Sequence, residues 1–149
     1  MTRFWLLALL ALFAGICIPT QAGINSQLSV WTRSSVMAAT ISFAVGTLVL
    51  ILYVFLVRLP FPQFDTLSEQ PWWIWSGGAL GAFFVATSIY LAPRLGATTM
   101  LAWFLAGQFS ASLLLDHYGW LGFAQQPITS VRILGIILVA AGALLIRIT

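Results

Sequence analysis

The sequence predicts an all-α transmembrane protein, a five-helix bundle forming one integral membrane domain over residues 1–149. Three observations carry that expectation. Hydrophobic residues make up 61% of the chain. Charged residues make up only 6%, where a soluble domain carries about a quarter. The apolar residues fall in unbroken runs of roughly the 20 residues a spanning helix needs, whereas a membrane β-barrel would alternate apolar with polar positions. This composition excludes a disordered chain and a nucleic-acid-binding protein with a basic face. The net charge of +3 comes from six arginines against three acids, too few to build a patch.

The expected helices cover residues 4–24, 35–57, 72–92, 95–115 and 128–147. The first run, Phe4 to Ile24, follows Arg3. It also imitates a secretory signal, with Thr20-Gln21-Ala22 as a cleavage site. Retention as a helix is the preferred reading, because the rest of the chain is already membrane-embedded. The second run is Ser35 to Val57. The third and fourth, Trp72 to Ala92 and Leu95 to Leu115, are separated only by Pro93 and Arg94. In the fifth, 14 uncharged residues lie between Arg132 and Arg147. At about 1.5 Å per residue they reach ~21 Å, short of the ~30 Å hydrocarbon core. Two readings are open: both arginines snorkel to the interface and the helix starts near Ile128, or Arg132 lies in a cavity as an anion contact.

The connections are polar. Arg58 to Pro71 holds prolines with Asp65 and Glu69, and Asn25 to Ser34 is rich in amides and hydroxyls. Trp5, Trp31, Trp72, Trp73, Trp75 and Trp120 fall near helix boundaries, where amphipathic rings are favoured. Trp103 is mid-span. With five spans, Arg3, Arg58 and Arg132 face one side, while Arg33, Arg94 and Arg147 face the other. Orientation normally follows an arginine and lysine excess, and here there is none. Either the chain inserts both ways and pairs head-to-tail with its copy, or other features fix one orientation. An odd-helix unit joined to an inverted copy reproduces the repeat many transporters use.

Close helix approach in lipid needs small residues. Each span carries some: Gly15 in the first, Gly46 in the second, Gly77 and Gly81 in the third, Gly107 in the fourth, and Gly135 and Gly142 in the fifth. They are expected to pack helices, with one stripe available to a second subunit.

Polar groups within spans must find partners or line a cavity. Pro19 removes a backbone donor and frees the carbonyl near Gly15; Gln21 and Asn25 follow within two turns. A broken helix beside an amide is a common substrate site, and the competing reading is a kink at a helix end with Asn25 at the surface. Gln108 is the deepest amide of the chain, either a pathway residue or half of an interhelical bond to Ser42 or Thr47. Asp116 and His117 can titrate and relay protons, or simply mark a solvated boundary. Tyr90 and Trp103 are further candidates for a pocket wall. No Asp or Glu falls inside a span, which argues against cation antiport driven by an embedded acid and leaves neutral, weakly charged or amphipathic solutes. The single histidine and single cysteine make no metal site, and no cofactor motif or catalytic set accompanies them. The chain therefore does not read as an enzyme.

The ordered pieces Pro19-Thr20-Gln21-Ala22-Gly23-Ile24-Asn25, Ile41 to Leu48, Gly77 to Ala82, Pro93-Arg94-Leu95-Gly96, Gly107-Gln108, Asp116 to Gly119 and Arg132 to Gly135 resemble the YdcZ-type small inner-membrane proteins of the drug/metabolite transporter superfamily. The resemblance implies a bacterial inner-membrane protein of five helices, equivalent to half of a ten-helix EamA-type transporter. It implies export or exchange of a small metabolite or drug-like solute by alternating access. The expected partners are the lipid bilayer, the solute, and an antiparallel second copy or a close paralogue; no nucleic acid is expected. The alternative is a non-transporting scaffold or regulatory subunit of a membrane complex.

Overall fold

Each long apolar run folds as an α-helix, because in hydrocarbon the backbone must satisfy its own hydrogen bonds. A computed structural model of the chain describes residues 2–61 and 70–148. Asp65 and Glu69 of the Arg58–Pro71 connection lie outside the described residues, as do the side chains of Arg3 and Arg147. Five α-helices are present: α1 Thr2–Thr32, α2 Ser35–Val57, α3 Ser76–Leu95, α4 Ala97–Tyr118 and α5 Ser130–Ile148. Short 3₁₀ turns precede α3 at Trp72–Trp75 and follow α4 at Trp120–Gly122. Among the described residues there is no strand, so the fold is all-α. Among the described residues, four helices are long and apolar enough to cross a membrane, while the apolar part of α5, Ser130–Ile146, is shorter.

The helix ends have local causes. At the start of α2, Ser34 caps the helix by accepting from the Met37 N–H at 3.2 Å, which satisfies one of the orphan donors of the first turn. Arg58 closes α2 in the left-handed region. Its N–H reaches Phe55 O at 3.3 Å and the next N–H reaches Val54 O at 3.0 Å, a Schellman-type ending. Gly96, with φ of 79°, separates α3 from α4 where a side chain would be strained. Gly119 ends α4 with φ of 65°.

Several boundaries differ from the sequence expectation, α4 running from Ala97 to Tyr118 and α5 starting at Ser130 among them. Helix α1 does not stop at residue 24 but continues to Thr32, so the connection to α2 is only Arg33 and Ser34. The polar residues after Ile24 are absorbed rather than expelled. Ser26 and Ser29 hydroxyls donate to Ala22 O and Ser26 O at 2.7 and 2.8 Å, and Asn25 finds a partner on α2. Helix α3 begins with a 3₁₀ turn and carries Pro93 inside its last turn. Proline cannot donate to the carbonyl four residues earlier, which is Ile89 O. That oxygen lies 3.5 Å from Ser26 Oγ on α1, whose single proton is shared with the nearer Ala22 O at 2.7 Å, so the hydroxyl compensates only weakly for the missing N–H.

The chain separates into two units, Met1–Pro93 and Arg94–Thr149. In the first, α1 and α2 run antiparallel from the two-residue link. Ala38, Ala39, Val85 and Ile89 form its core, with Leu28, Phe84 and Ala86 packed against them. Side chains bridge α2 and α3: the Phe43 ring of α2 reaches Gly81, where an added Cβ would make an ordinary contact at 3.6 Å. In the second unit, α4 and α5 are paired through the loop that joins them, and Met100, Ala102 and Ala143 are buried.

Most other large apolar side chains are exposed, Leu10, Leu48, Leu80 and Leu145 among them. Water would make such faces an aggregation hazard; a bilayer makes them the solvated surface. The exposed tryptophans at helix ends, Trp5, Trp31, Trp72 and Trp120, suit the membrane interface.

Candidate functional site

The polar residues of α1 collect on the seam it shares with α2. Asn25 is 4% exposed, and its Nδ2 donates to Ser42 Oγ at 3.1 Å. A buried amide in an apolar seam demands such a partner. The reading that places Asn25 at the surface beyond a helix end is therefore overturned, since α1 runs on past it. Gln21 lies one turn earlier. It lines a cavity of about 580 Å³ together with Cys17, Thr20, Asn25 and Ser42. It also lines a second cavity of about 220 Å³ with Gly46 and Thr47. Gln21 is exposed, and its amide has no hydrogen-bond partner among the described residues.

Pro19 is half-buried within a continuous α1. It withholds an N–H from Gly15 O, while Thr20 Oγ1 turns back to Ile16 O at 2.9 Å. The two residues loosen and re-bond the helix just where the seam opens. A Cβ added at Gly15 or Gly46 would meet no neighbouring atom within 4 Å; these glycines widen the space rather than seal a contact.

A second polar cluster joins α4 to α5. Asp116 forms an ion pair with Arg132 Nη2, their side chains 21% and 32% exposed. Arg132 Nη1 also donates to Gln126 O at 3.3 Å, and the Gln126 N–H donates to Asp116 O at 2.8 Å. His117 is held separately: Nδ1 accepts from the Ile128 N–H at 3.3 Å, and its carbonyl accepts from Gln125 Nε2 at 3.2 Å. Helix α5 starts at Ser130 rather than near Ile128 because Thr129 caps it, its hydroxyl accepting from the Arg132 N–H at 3.3 Å. Arg132 also lines a cavity of about 340 Å³ with Phe109, Ser112 and Gly135. Arg132 thus borders a cavity while its charge is met by Asp116.

Gln108 is exposed on α4, with no hydrogen bond among the described residues, and Ser42, one of its two expected partners, is engaged by Asn25. Trp103 and Tyr90 are exposed at 43% and 50%. Gly77, Gly107, Gly135 and Gly142 face open space. Sequence reasoning missed Ser42 as the partner of Asn25, and Ser26 as the group beside Ile89 O. Position four before Pro93 was the available signal for the second; nothing local signalled the first, because the pairing depends on where α1 ends.

Among protein families, the one described as "Putative inner membrane exporter, YdcZ" matches residues 6–145. No curated protein and no solved structure matches the chain.

Proposed function

The chain belongs to the DMT_YdcZ family, and from that premise we propose that it is a secondary transporter that exports or exchanges a small metabolite or drug-like solute by alternating access. The observation that carries this reading is Gln21, an amide without a partner between two cavities of the α1–α2 seam. Lipid-facing helices do not keep free amides without a use for them. Asn25 and Ser42 supply further polar atoms to the larger cavity. Pro19, nearly two turns before Asn25 on α1, supplies a point of bending. In this reading the seam receives the solute, and α1 flexes about Pro19 as access passes from one face to the other.

The working unit is an antiparallel homodimer in which α5 completes the fifth crossing of each copy. Gln108 supports that arrangement, since an exposed amide in mid-helix finds a partner on a second copy at little cost. The balanced arginines support it as well, because neither end of the chain is held to one side. The protein then amounts to half of an inverted-repeat transporter completed by association.

The test is release from proteoliposomes loaded with a mixed library of small solutes, followed by mass spectrometry. One chemical class should leave faster than from empty liposomes, and Gln21→Ala should suppress that release while leaving insertion intact. Release no faster than from empty liposomes, from correctly inserted protein, overturns the transporter reading and favours a scaffold or regulatory subunit.

A further inference from the structure

We infer that the α1–α2 seam binds an uncharged amphiphile: a molecule with an apolar body and one terminal group that both donates and accepts hydrogen bonds, such as an amide, a urea or an alcohol. The inference rests on the reading of this seam as the solute site and names what that site takes.

The charge pattern comes first. None of the residues lining the two seam cavities carries a charge. The arginines of the segments that form it, Arg3, Arg33 and Arg58, lie at the ends of α1 and α2. An ion entering such a cavity would shed its hydration and find no countercharge, which is strongly unfavourable. Cationic and anionic amphiphiles are disfavoured alike.

The hydrogen-bonding inventory narrows the class further. Gln21 brings a complete amide, two N–H donors and one carbonyl. Asn25 has spent one N–H on Ser42 and keeps its second N–H and its carbonyl. That carbonyl is not sealed in, since the described residues contain no fully enclosed side-chain polar atom lacking a partner. Ser42 Oγ accepts from Asn25 and retains its own proton. Thr20 contributes little, because its hydroxyl is turned back to Ile16 O. The cluster therefore offers donors and acceptors side by side. A ligand with acceptors alone would leave the carbonyls of Gln21 and Asn25 unmet, and buried unmet groups cost binding. A group that does both satisfies the whole cluster.

The walls set the rest of the molecule. Ile16, Ile24, Leu28, Ile41 and Val45 line the larger cavity, an open groove in which Ile16, Ile24 and Val45 are themselves exposed, so a body lying between these walls and the surrounding hydrocarbon is apolar. The volume of about 580 Å³ falls within the roughly 300–1,000 Å³ of small-molecule sites.

Cys17 lines the same cavity and is the only cysteine of the chain, which gives a direct reporter. Purified full-length protein is alkylated with N-ethylmaleimide in the presence of octanamide, octanoate or octylammonium, three probes with one tail and different heads. Octanamide near about ten times its Kd should slow modification of Cys17 about tenfold, as mass action requires, and the charged probes should slow it far less. Gln21→Leu should abolish protection by octanamide, which also separates binding from simple partition into the detergent. Should that variant not fold, the ranking of the three heads on the native chain decides by itself. Equal or better protection by either charged probe overturns the inference, and so does no protection by any of the three. Protection by octanamide without solute release from proteoliposomes leaves the ligand class standing and removes only the transporter reading.

Discussion

Arg132, in the first turn of α5, and Asp116, in the last turn of α4, close the loop between them with an ion pair. The Gln126 backbone joins both: its carbonyl accepts from Arg132 and its N–H donates to the Asp116 carbonyl. Asp116→Ala leaves Arg132 with a carbonyl and no countercharge. Fully buried pairs lose about 3–5 kcal/mol when one partner is removed, and exposed pairs lose ~0–1. With side chains a fifth and a third exposed, the expected loss is about 1–2 kcal/mol. A melting curve in detergent measures it. Arg132→Ala completes the cycle: the double variant of Asp116→Ala with Arg132→Ala should lose less than the two single variants together, and additive losses would mean that the pair does not couple.

Asn25 and Ser42 tie α1 to α2. Interhelical hydrogen bonds in membranes average about 0.6 kcal/mol and reach ~1.7. A double-mutant cycle with Asn25→Ala and Ser42→Ala should return a coupling in that range. A coupling of zero would make the contact incidental to stability.

Ser26 and Pro93 should be epistatic. Ser26→Ala removes the hydroxyl beside Ile89 O and should destabilise by at most about 1 kcal/mol, the usual net value of one hydrogen bond. In a Pro93→Ala background the helix regains its own donor for that carbonyl, so the same substitution should cost clearly less. Equal costs in both backgrounds, read from thermal unfolding, would separate the two residues.

Gly119 and Gly107 should respond in opposite ways to alanine. Gly119 ends α4 with φ of 65°, and a Cβ there would lie 3.5 Å from Gln125 Cβ. The left-handed conformation costs a non-glycine residue roughly 1–2 kcal/mol. Gly107→Ala meets nothing within 4 Å and gains up to about 1 kcal/mol of helix propensity. Melting temperatures of the two variants should move down and up respectively. Because Gly107 neighbours Gln108 on α4, the measurement is made at a protein concentration low enough to remove any contact with a second copy.

Gln108→Leu addresses the proposed homodimer. Loss of a hydrogen bond worth about 1–2 kcal/mol between copies should raise the dimer dissociation constant by roughly tenfold. Single-molecule photobleaching in liposomes over a range of protein-to-lipid ratios reads it. An unchanged monomer fraction would count against a partner for Gln108 on a second copy.

The helices are legible in the sequence because hydrocarbon imposes one rule on every run of apolar residues, and α2, Ser35–Val57, coincides with its expected bounds. The end of α1 is not legible. Asn25, Ser26 and Gln27 read locally as the start of a polar connection, and only the placement of Asn25 against α2 and of Ser26 beside α3 makes a longer helix favourable. The candidate site follows the same division. Pro19, Gln21 and Asn25 stand out as polar or helix-breaking residues in an apolar run, and two of them, Gln21 and Asn25, line one cavity with Ser42. Gln108 stands out on the same grounds and makes no hydrogen bond among the described residues, since sequence reports that an amide is present but not which way its helix face turns.

The amino-acid order alone thus determined that this chain is helical and lives in lipid, because composition and run length settle where backbone and side chains can be solvated. Tertiary structure decided which polar groups are spent and which are free. Asn25, Arg132 and Ser26 meet partners 16 to 63 residues away, and pairing over such distances depends on helix register and rotation, which no local pattern of residues encodes.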